Sequence, residues 1–393
     1  MVTVNEKLTT EPGIPYDLFA PRERIVFVDI ETTGLKAGAA MLYLIGAAGF
    51  ENGSWNLHQF LAESKAEEMS LLSAFSEYLN SKRSGQDHLI LVSYNGDRFD
   101  LPFLKEVERQ YGRSGMFRDT VSFDLYKTVK PFKKLLKLEN LKLKTLERFC
   151  GICREDIYSG GELIYVYEEY LRLRHMIKGG CEDNELNQGL MEKCLSCLLL
   201  HNAEDISDML PVMQMLSYRF LFDGIFETES AEVFHVGSDE ILDLRFRMPC
   251  ALPAELYLEN GNVVISASGK DRTLLEITNR IVEDELRLYF DDYKEYYYLP
   301  AEDMAVHRSI GEFVDRKNRR KATADTCYIR EAGKFLEVPE EYRADPNVFR
   351  RTRKGKAYIR YREELLSGKE ELKALGHEIL REFLAFPINE SYN

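Results

Sequence analysis

The sequence predicts a mixed α/β sheet flanked by helices, followed by a smaller α+β region. Three observations carry this reading. Ile25 to Val28 form an apolar run that leads straight into Asp29-Ile30-Glu31, the pattern of a strand buried on both faces at the centre of a sheet. Two more strand patterns, 41–50 and 55–61, flank the turn Asn52-Gly53, as in a hairpin. Beyond them, short apolar strands alternate with helical spacing as far as about residue 222, which marks an α/β arrangement.

Taken in order, residues 1–21 read as a lead-in without clear periodicity. Residues 64–82 have helical spacing, with Met69, Leu71, Leu72, Phe75 and Leu79 on one stripe. A strand is expected at 88–93, a helix at 99–111 with Pro102 tolerated in its first turn, and a strand at 121–125. Helices are expected at 140–149 and 162–173, then one long helix over 185–221 bent near Pro211. After residue 225 the pattern changes. Residues 254–268 alternate around Asn260-Gly261 as a hairpin, and 285–289 and 295–299 read as a second pair joined through Asp291-Asp292. A helix is expected at 302–315, and the tail 363–384 has helical periodicity. The chain therefore divides into a lead-in (1–21), a first domain (22–224) and a C-terminal domain (225–393).

With 393 residues, 45% hydrophobic and 30% charged, the composition is that of an ordinary globular protein and excludes a disordered or fibrous one. No apolar run approaches the roughly 18–20 residues of a membrane helix; Met41–Phe50 is short and carries two glycines. Glu6, Glu11 and Pro12 stand where an export signal needs an apolar core, so a cytoplasmic location with no membrane partner and reduced cysteines is expected. Cys150-x-x-Cys153 and Cys194-x-x-Cys197, with Cys181 between them, invite a zinc reading, but their flanks favour small buried thiols. The net charge of −14 is unevenly spread: 316–362 hold 15 Lys+Arg against 6 Asp+Glu. Within that stretch Arg350, Arg351, Arg353 and Lys354, interleaved with Tyr358 and Tyr361, match a surface that tracks phosphates and stacks on bases.

The chemistry concentrates in three acidic clusters. Asp29 and Glu31 alternate with Ile30, so on a strand they share a face; buried together they repel, and a hard divalent cation reverses that penalty. Tyr94 to Leu104 hold Asp97 and Asp100 at the opening of a helix, and His201 and Asp205 fall one helical turn apart. Each alone reads as ordinary: solvated acids before a turn, a helix-dipole acid, a surface ion pair. Jointly they supply four carboxylates and one base.

Asp29-Ile30-Glu31-Thr32-Thr33-Gly34-Leu35 resembles the first motif of the DEDD superfamily of 3′–5′ exonucleases, Asn95 to Asp100 the second, and His201 to Asp205 the third. Phe123-Asp124-Leu125 and Gly160-Gly161-Glu162-Leu163-Ile164 resemble the YprB-type domain. The resemblance covers about 22–222. It implies an RNase H-like fold and a phosphodiester hydrolase with two Mg²⁺ or Mn²⁺ ions. Its implied ligands are Asp29, Glu31, Asp100 and Asp205, with His201 as catalytic base and Asp97 as the runner-up to Asp100. Thr32, Leu35, Asn95 and Phe99 would meet the terminal nucleotide, and Asp124 would be structural. Single-stranded 3′ ends are the implied substrate, DNA before RNA, in repair or turnover. The alternatives are an RNA-trimming ribonuclease or a weakly catalytic binding module serving a helicase. One departure stands out: the family's third motif has four residues between His and the Asp, or three between Tyr and the Asp, whereas three residues separate His201 from Asp205.

Overall fold

The computed structural model describes every residue except 16–17, 84–87, 180–183, 270, 343–344 and 384–393, and omits the side chain of Asn184. It divides into two compact units, Met1–Leu216 and Ser217–Asn393.

The first unit is built on the expected mixed sheet. Its strands are β1 (Val2–Lys7), β2 (Ile25–Thr32), β3 (Leu42–Glu51), β4 (Ser54–Leu61), β5 (Leu89–Ser93) and β6 (Thr120–Asp124), in the order β1-β4-β3-β2-β5-β6. β2 runs antiparallel to β3 and parallel to β5, and β5 is parallel to β6. This central placement explains the apolar run: Ile25, Val26, Phe27 and Val28 are all fully buried. Asn52 and Gly53 both take positive φ in the β3–β4 turn, as a two-residue hairpin loop requires.

Helix α1 (Glu68–Lys82) buries Leu71, Leu72, Phe75, Tyr78 and Leu79, but Met69 is exposed; the stripe belongs to Tyr78 instead. α2 (Asp100–Gln110) follows β5, and α3 (Leu125–Val129), α4 (Leu143–Phe149) and α5 (Gly160–Lys178) follow β6. The long helix of the sequence is broken: α6 (Asn184–Ser207) ends before Asp208, and α7 (Met209–Val212) carries Pro211 in its first turn, where the missing N–H costs little. The lead-in is also structured, since β1 pairs with β4 along its whole length. Only Val2 and Val4 alternate there, too few apolar residues to reveal an edge strand.

Where α6 crosses β3 the backbone must be bare. A Cβ on Gly46 would fall well inside contact distance of Asn202 Oδ1 and Ile206 Cδ1. Gly46→Ala is therefore expected to push α6 off the sheet and destabilise the protein by about 1–3 kcal/mol, measurable as a lowered urea midpoint.

The second unit is sheet-rich. β7 (Glu227–Val236), β8 (Asp239–Arg247), β9 (Leu256–Asn260), β10 (Val263–Ala267) and β11 (Leu274–Tyr289) are joined antiparallel. β9 and β10 form the hairpin expected around Asn260-Gly261. The 285–289 pairing is corrected. Those residues end the 16-residue β11, whose two edges there are occupied by strands at Tyr328–Val338 and Phe349–Arg350. Tyr296–Leu299 instead pairs with Met304–His307 and Arg320–Lys321. The expected helix at 302–315 shrinks to Arg308–Gly311. Asp303, inside the expected helix, sits in the hairpin turn at φ 49°, where it accepts from the Tyr298 hydroxyl at 2.6 Å and from Tyr328. The tail helix spans Lys369–Glu382; residue 384 lies outside the described residues.

Candidate active site

β2, α2 and α6 bring the three acidic clusters together. A β-bulge in the β2–β3 pairing falls between Glu31 and Thr32, a local irregularity that re-aims side chains. Asp29 lies opposite Gly46 on β3. Across that gap the Asn202 amide donates to Asp29 Oδ2 at 2.9 Å, while Gln59 donates to Asn202 Oδ1 at 2.9 Å and to the Leu199 carbonyl at 2.8 Å. The backbone N–H of Ile30 donates to Asp100 Oδ1 at 3.2 Å, tying α2 to β2. From α6, His201 Nε2 stands 3.4 Å from Glu31 Oε1 and 3.3 Å from Asp205 Oδ2. One ligand atom from each of Glu31, His201 and Asp205 lies within 4.8 Å of the others.

The electrostatics tie in the remaining acids. Burial raises Asp29 well above the usual carboxylate value, and the charges of Asp205, Asp100 and Glu31 add to it. Burial lifts Glu31 to about 8, opposed by His201 and reinforced by Asp205 and Asp100. Asp100 is pushed up to about 7 by burial, with Asp124 and Asp205 reinforcing and two backbone N–H bonds opposing. Burial also acts on Asp205, but His201 and Arg154 outweigh it and hold this carboxyl below its ordinary value. His201 goes the other way: burial lowers it, and Asp205, Glu31 and Asp156 outweigh that and raise it. Acids that raise one another's cost of ionising, beside ligand atoms of Glu31, His201 and Asp205 gathered within 4.8 Å, are a donor set that fits a divalent metal.

Arg154, which the sequence reading did not single out, braces the cluster. Only 7% of its side chain is exposed. It reaches Asp205 Oδ1 at 2.6 Å, Glu147 Oε1 at 3.1 Å and Glu204 Oε2 at 3.3 Å, and donates to the His201 carbonyl at 3.3 Å. Two residues on, Asp156 Oδ2 meets His201 Nδ1 at 2.7 Å and Lys144 Nζ at 3.0 Å. No periodicity announces these residues; they follow Cys150-x-x-Cys153 in a stretch without regular structure. Arg154→Met should leave Glu147, Glu204 and Asp205 short of a countercharge. We expect a loss of about 3–5 kcal/mol in the urea-unfolding free energy of the metal-free protein.

The other sequence candidates are dispersed. Asp97 pairs with Lys127 at 2.5 Å and accepts from Ser122, outside the cluster. Asp124 accepts from the backbone of Asn95 at 2.8 Å and of Tyr126 at 3.0 Å, a turn-bracing role that holds Asn95 at φ 60°. Thr32 is buried and donates to the Gly34 carbonyl at 2.8 Å. Leu35 is 88% exposed. Phe99 is half-buried against the core, 5.7 Å from the Phe103 ring.

In the second unit the basic run is largely committed to its own neighbours. Arg350 donates to the Gly355 carbonyl at 2.6 Å, Arg351 binds Asp284 at 2.7 Å and Arg353 bonds the Ala324 carbonyl at 2.5 Å. Tyr358, read as an interleaved stacking residue, is buried in a cluster with Leu286, Phe335 and Phe349; Lys354 remains exposed. In a different stretch Phe313 is 91% exposed, close in sequence to exposed Arg316, Arg320 and Lys321. Of the cysteines weighed for zinc, Cys153 is exposed and Cys150, Cys194 and Cys197 are half-buried; Cys181 lies outside the described residues. Among the described residues, no helix is long and apolar enough to cross a membrane.

A family model of the RNase_H superfamily matches residues 26–217, the stretch that builds this site. No curated protein matches the chain. Among solved structures, E. coli exonuclease I with a dT13 oligonucleotide is similar at 15% identity and a TM-score of 0.27, covering 39% of this chain and 43% of that one. The zinc-bound form of E. coli exonuclease I with single-stranded DNA gives 12% identity and a TM-score of 0.28, covering 57% and 54%. The complex with dA16 gives 14% and 0.26, covering 62% and 54%. The chain thus spans about half the length of the exonuclease chains it matches.

Proposed function

We propose that the chain is a metal-dependent 3′–5′ exonuclease that hydrolyses phosphodiester bonds at single-stranded DNA ends. The observation that carries this is the gathering of Glu31, His201 and Asp205 at the end of a central strand, one ligand atom of each within 4.8 Å of the others. Asp29 feels the charges of Asp205, Asp100 and Glu31, and α6 contacts both acids of β2, which supports reading the four acids as one site. The match to the RNase_H superfamily over 26–217 supports a nuclease, and the resemblance of the three motifs supports the 3′ polarity.

Asp29, Glu31, Asp100 and Asp205 would hold divalent Mg²⁺ or Mn²⁺. When bound, such ions polarise the phosphoryl oxygens and offset the charge that develops during attack and departure. The protein's share is preorganisation. Gln59 and Asn202 aim Asp29, the Ile30 N–H fixes Asp100, and Arg154 occupies one oxygen of Asp205 so that the other faces inward. Exposed Leu35 offers the terminal base an apolar surface; within the second unit, exposed Phe313 and its basic neighbours have the composition of a separate stacking and phosphate-contacting surface.

The test is hydrolysis of 3′-labelled and 5′-labelled single-stranded DNA and RNA with Mn²⁺, Mg²⁺ or EDTA, beside Asp29→Ala. Metal-dependent release of mononucleotides from the 3′ end of DNA, lost in the variant, is the expected result. Faster cutting of RNA would move the reading to a ribonuclease. Binding without cleavage of either polymer would leave a nucleic-acid-binding module.

A further inference from the structure

His201 makes two unlike contacts with the two sides of its ring. The residue is 4% exposed. Nδ1 lies 2.7 Å from Asp156 Oδ2, within the range of about 2.7–2.9 Å for a charge-assisted N–H···O⁻ bond. Nε2 lies 3.4 Å from Glu31 Oε1 and 3.3 Å from Asp205 Oδ2, outside that range for both. In the neutral ring, a proton on Nδ1 shared with Asp156 leaves the lone pair on Nε2, facing two carboxylate oxygens, where it can ligate a cation. Donor atoms that share a tetrahedral metal at about 2.0–2.1 Å stand about 3.3–3.4 Å apart, the spacing found on both sides of Nε2. Asp205 reinforces the arrangement: Arg154 takes its Oδ1 at 2.6 Å and leaves Oδ2 toward the imidazole.

Resting on the metal-site reading above, we propose that His201 Nε2 is itself a metal ligand, together with Glu31 and Asp205, and that Asp156 is the residue that orients it. A lone pair engaged in ligation accepts no proton, so His201 is not the base that its motif implies. The donor set changes with this assignment. One imidazole nitrogen among carboxylates suits Mn²⁺, Co²⁺ or Zn²⁺ better than Mg²⁺, which prefers an all-oxygen shell. The contact of a ligating imidazole's other nitrogen with a carboxylate is the usual way such a ring is held.

Pulsed EPR of the metal-free full-length protein titrated with Mn²⁺ tests this without relying on turnover. The bound ion should show ¹⁴N coupling, replaced by the ¹⁵N pattern when the histidines are ¹⁵N-labelled. His201→Gln should still bind Mn²⁺ through its carboxylates, without that coupling. Asp156→Asn should keep the coupling and weaken Mn²⁺ binding by about tenfold or more. Bound Mn²⁺ without histidine coupling in the unsubstituted protein overturns the proposal and leaves the carboxylate site standing; so does coupling that survives in His201→Gln. No Mn²⁺ binding at all overturns both the ligand assignment and the metal-site reading. If His201→Gln does not fold, the labelled unsubstituted protein still decides the question.

Discussion

Replacing Asp29 by Asn is expected to slow hydrolysis about 10³-fold and, at the same time, to make the metal-free protein more stable. Both effects come from one carboxylate. Asp29 is raised by burial and by the charges of Asp205, Asp100 and Glu31, so the metal-free fold carries a group it would rather lose. An amide of the same shape keeps an oxygen to accept from Asn202 Nδ2, which now bonds Asp29 Oδ2 at 2.9 Å, and removes a member of the repelling set. Glu31 and Asp100 are relieved as well, because each is part of the same set. The rate suffers because an amide is a poor ligand for a hard cation. Losing about 4 kcal/mol of transition-state stabilisation lowers kcat by about 10³-fold. Calorimetry at pH 8 in EDTA should give a higher Tm for Asp29→Asn by a few degrees, and added Mn²⁺ should raise its Tm less than that of the unsubstituted protein. Asp97→Asn is the control: that carboxylate is already stabilised by Lys127, and its loss should not raise the metal-free Tm. A metal-free Asp29→Asn protein less stable than the original would show that the four acids do not oppose one another.

Asp29 with Glu31, and His201 with Asp205, could be paired from the chain because strand alternation and helical periodicity each place two residues on one face; Asp100 was preferred to Asp97 only by the resemblance of its motif. Their convergence needed tertiary structure, and so did their supports. Gly46 is an unremarkable residue in a strand until α6 is laid across it. Arg154 and Asp156 lie in an irregular stretch where no period assigns a face, so their reach to α6 could not be foreseen. In the second unit the errors have a common cause. Glu302 and Asp303 look like the acidic start of a helix, but Met304-Ala305-Val306 pair with the tyrosine strand, and Asp303 serves two tyrosine hydroxyls in the turn. The basic run 350–354 read as a free surface because its acidic partners are far away in sequence: Arg351 meets Asp284 from another strand.

The metal-free protein should lose stability as the pH rises from about 4.5 to 8, and divalent cation should cancel that slope. In the unfolded chain Glu31 and Asp100 titrate near the ordinary values of about 4.3 and 3.9. In the folded protein they titrate at about 8 and about 7. Between those limits the folded state binds more protons than the unfolded state, so stability falls with rising pH. Below about pH 4 both states are protonated and this penalty is absent; above about pH 8 it is complete. Asp205 and Asp156 work in the opposite sense, since both lie below the ordinary value in the fold, but their contribution is lost only as the pH falls through the acid range. On the neutral and alkaline side the raised acids act, and His201, raised as well, loses its stabilising charge in the same direction. Because the carboxylates are coupled, their penalties do not add in full; a drop in Tm on the order of 5–10 °C between pH 5 and pH 8 is expected in EDTA. Saturating Mn²⁺ binds only the deprotonated ligands, so its stabilisation grows with pH and should flatten the profile. Asp29→Asn should reduce both the slope and the metal effect. A metal-free Tm that rose from pH 5 to pH 8 would mean that the acids of β2 and α2 are ionised and compensated within the fold, and that the cation this cluster calls for is already supplied by Arg154 and His201.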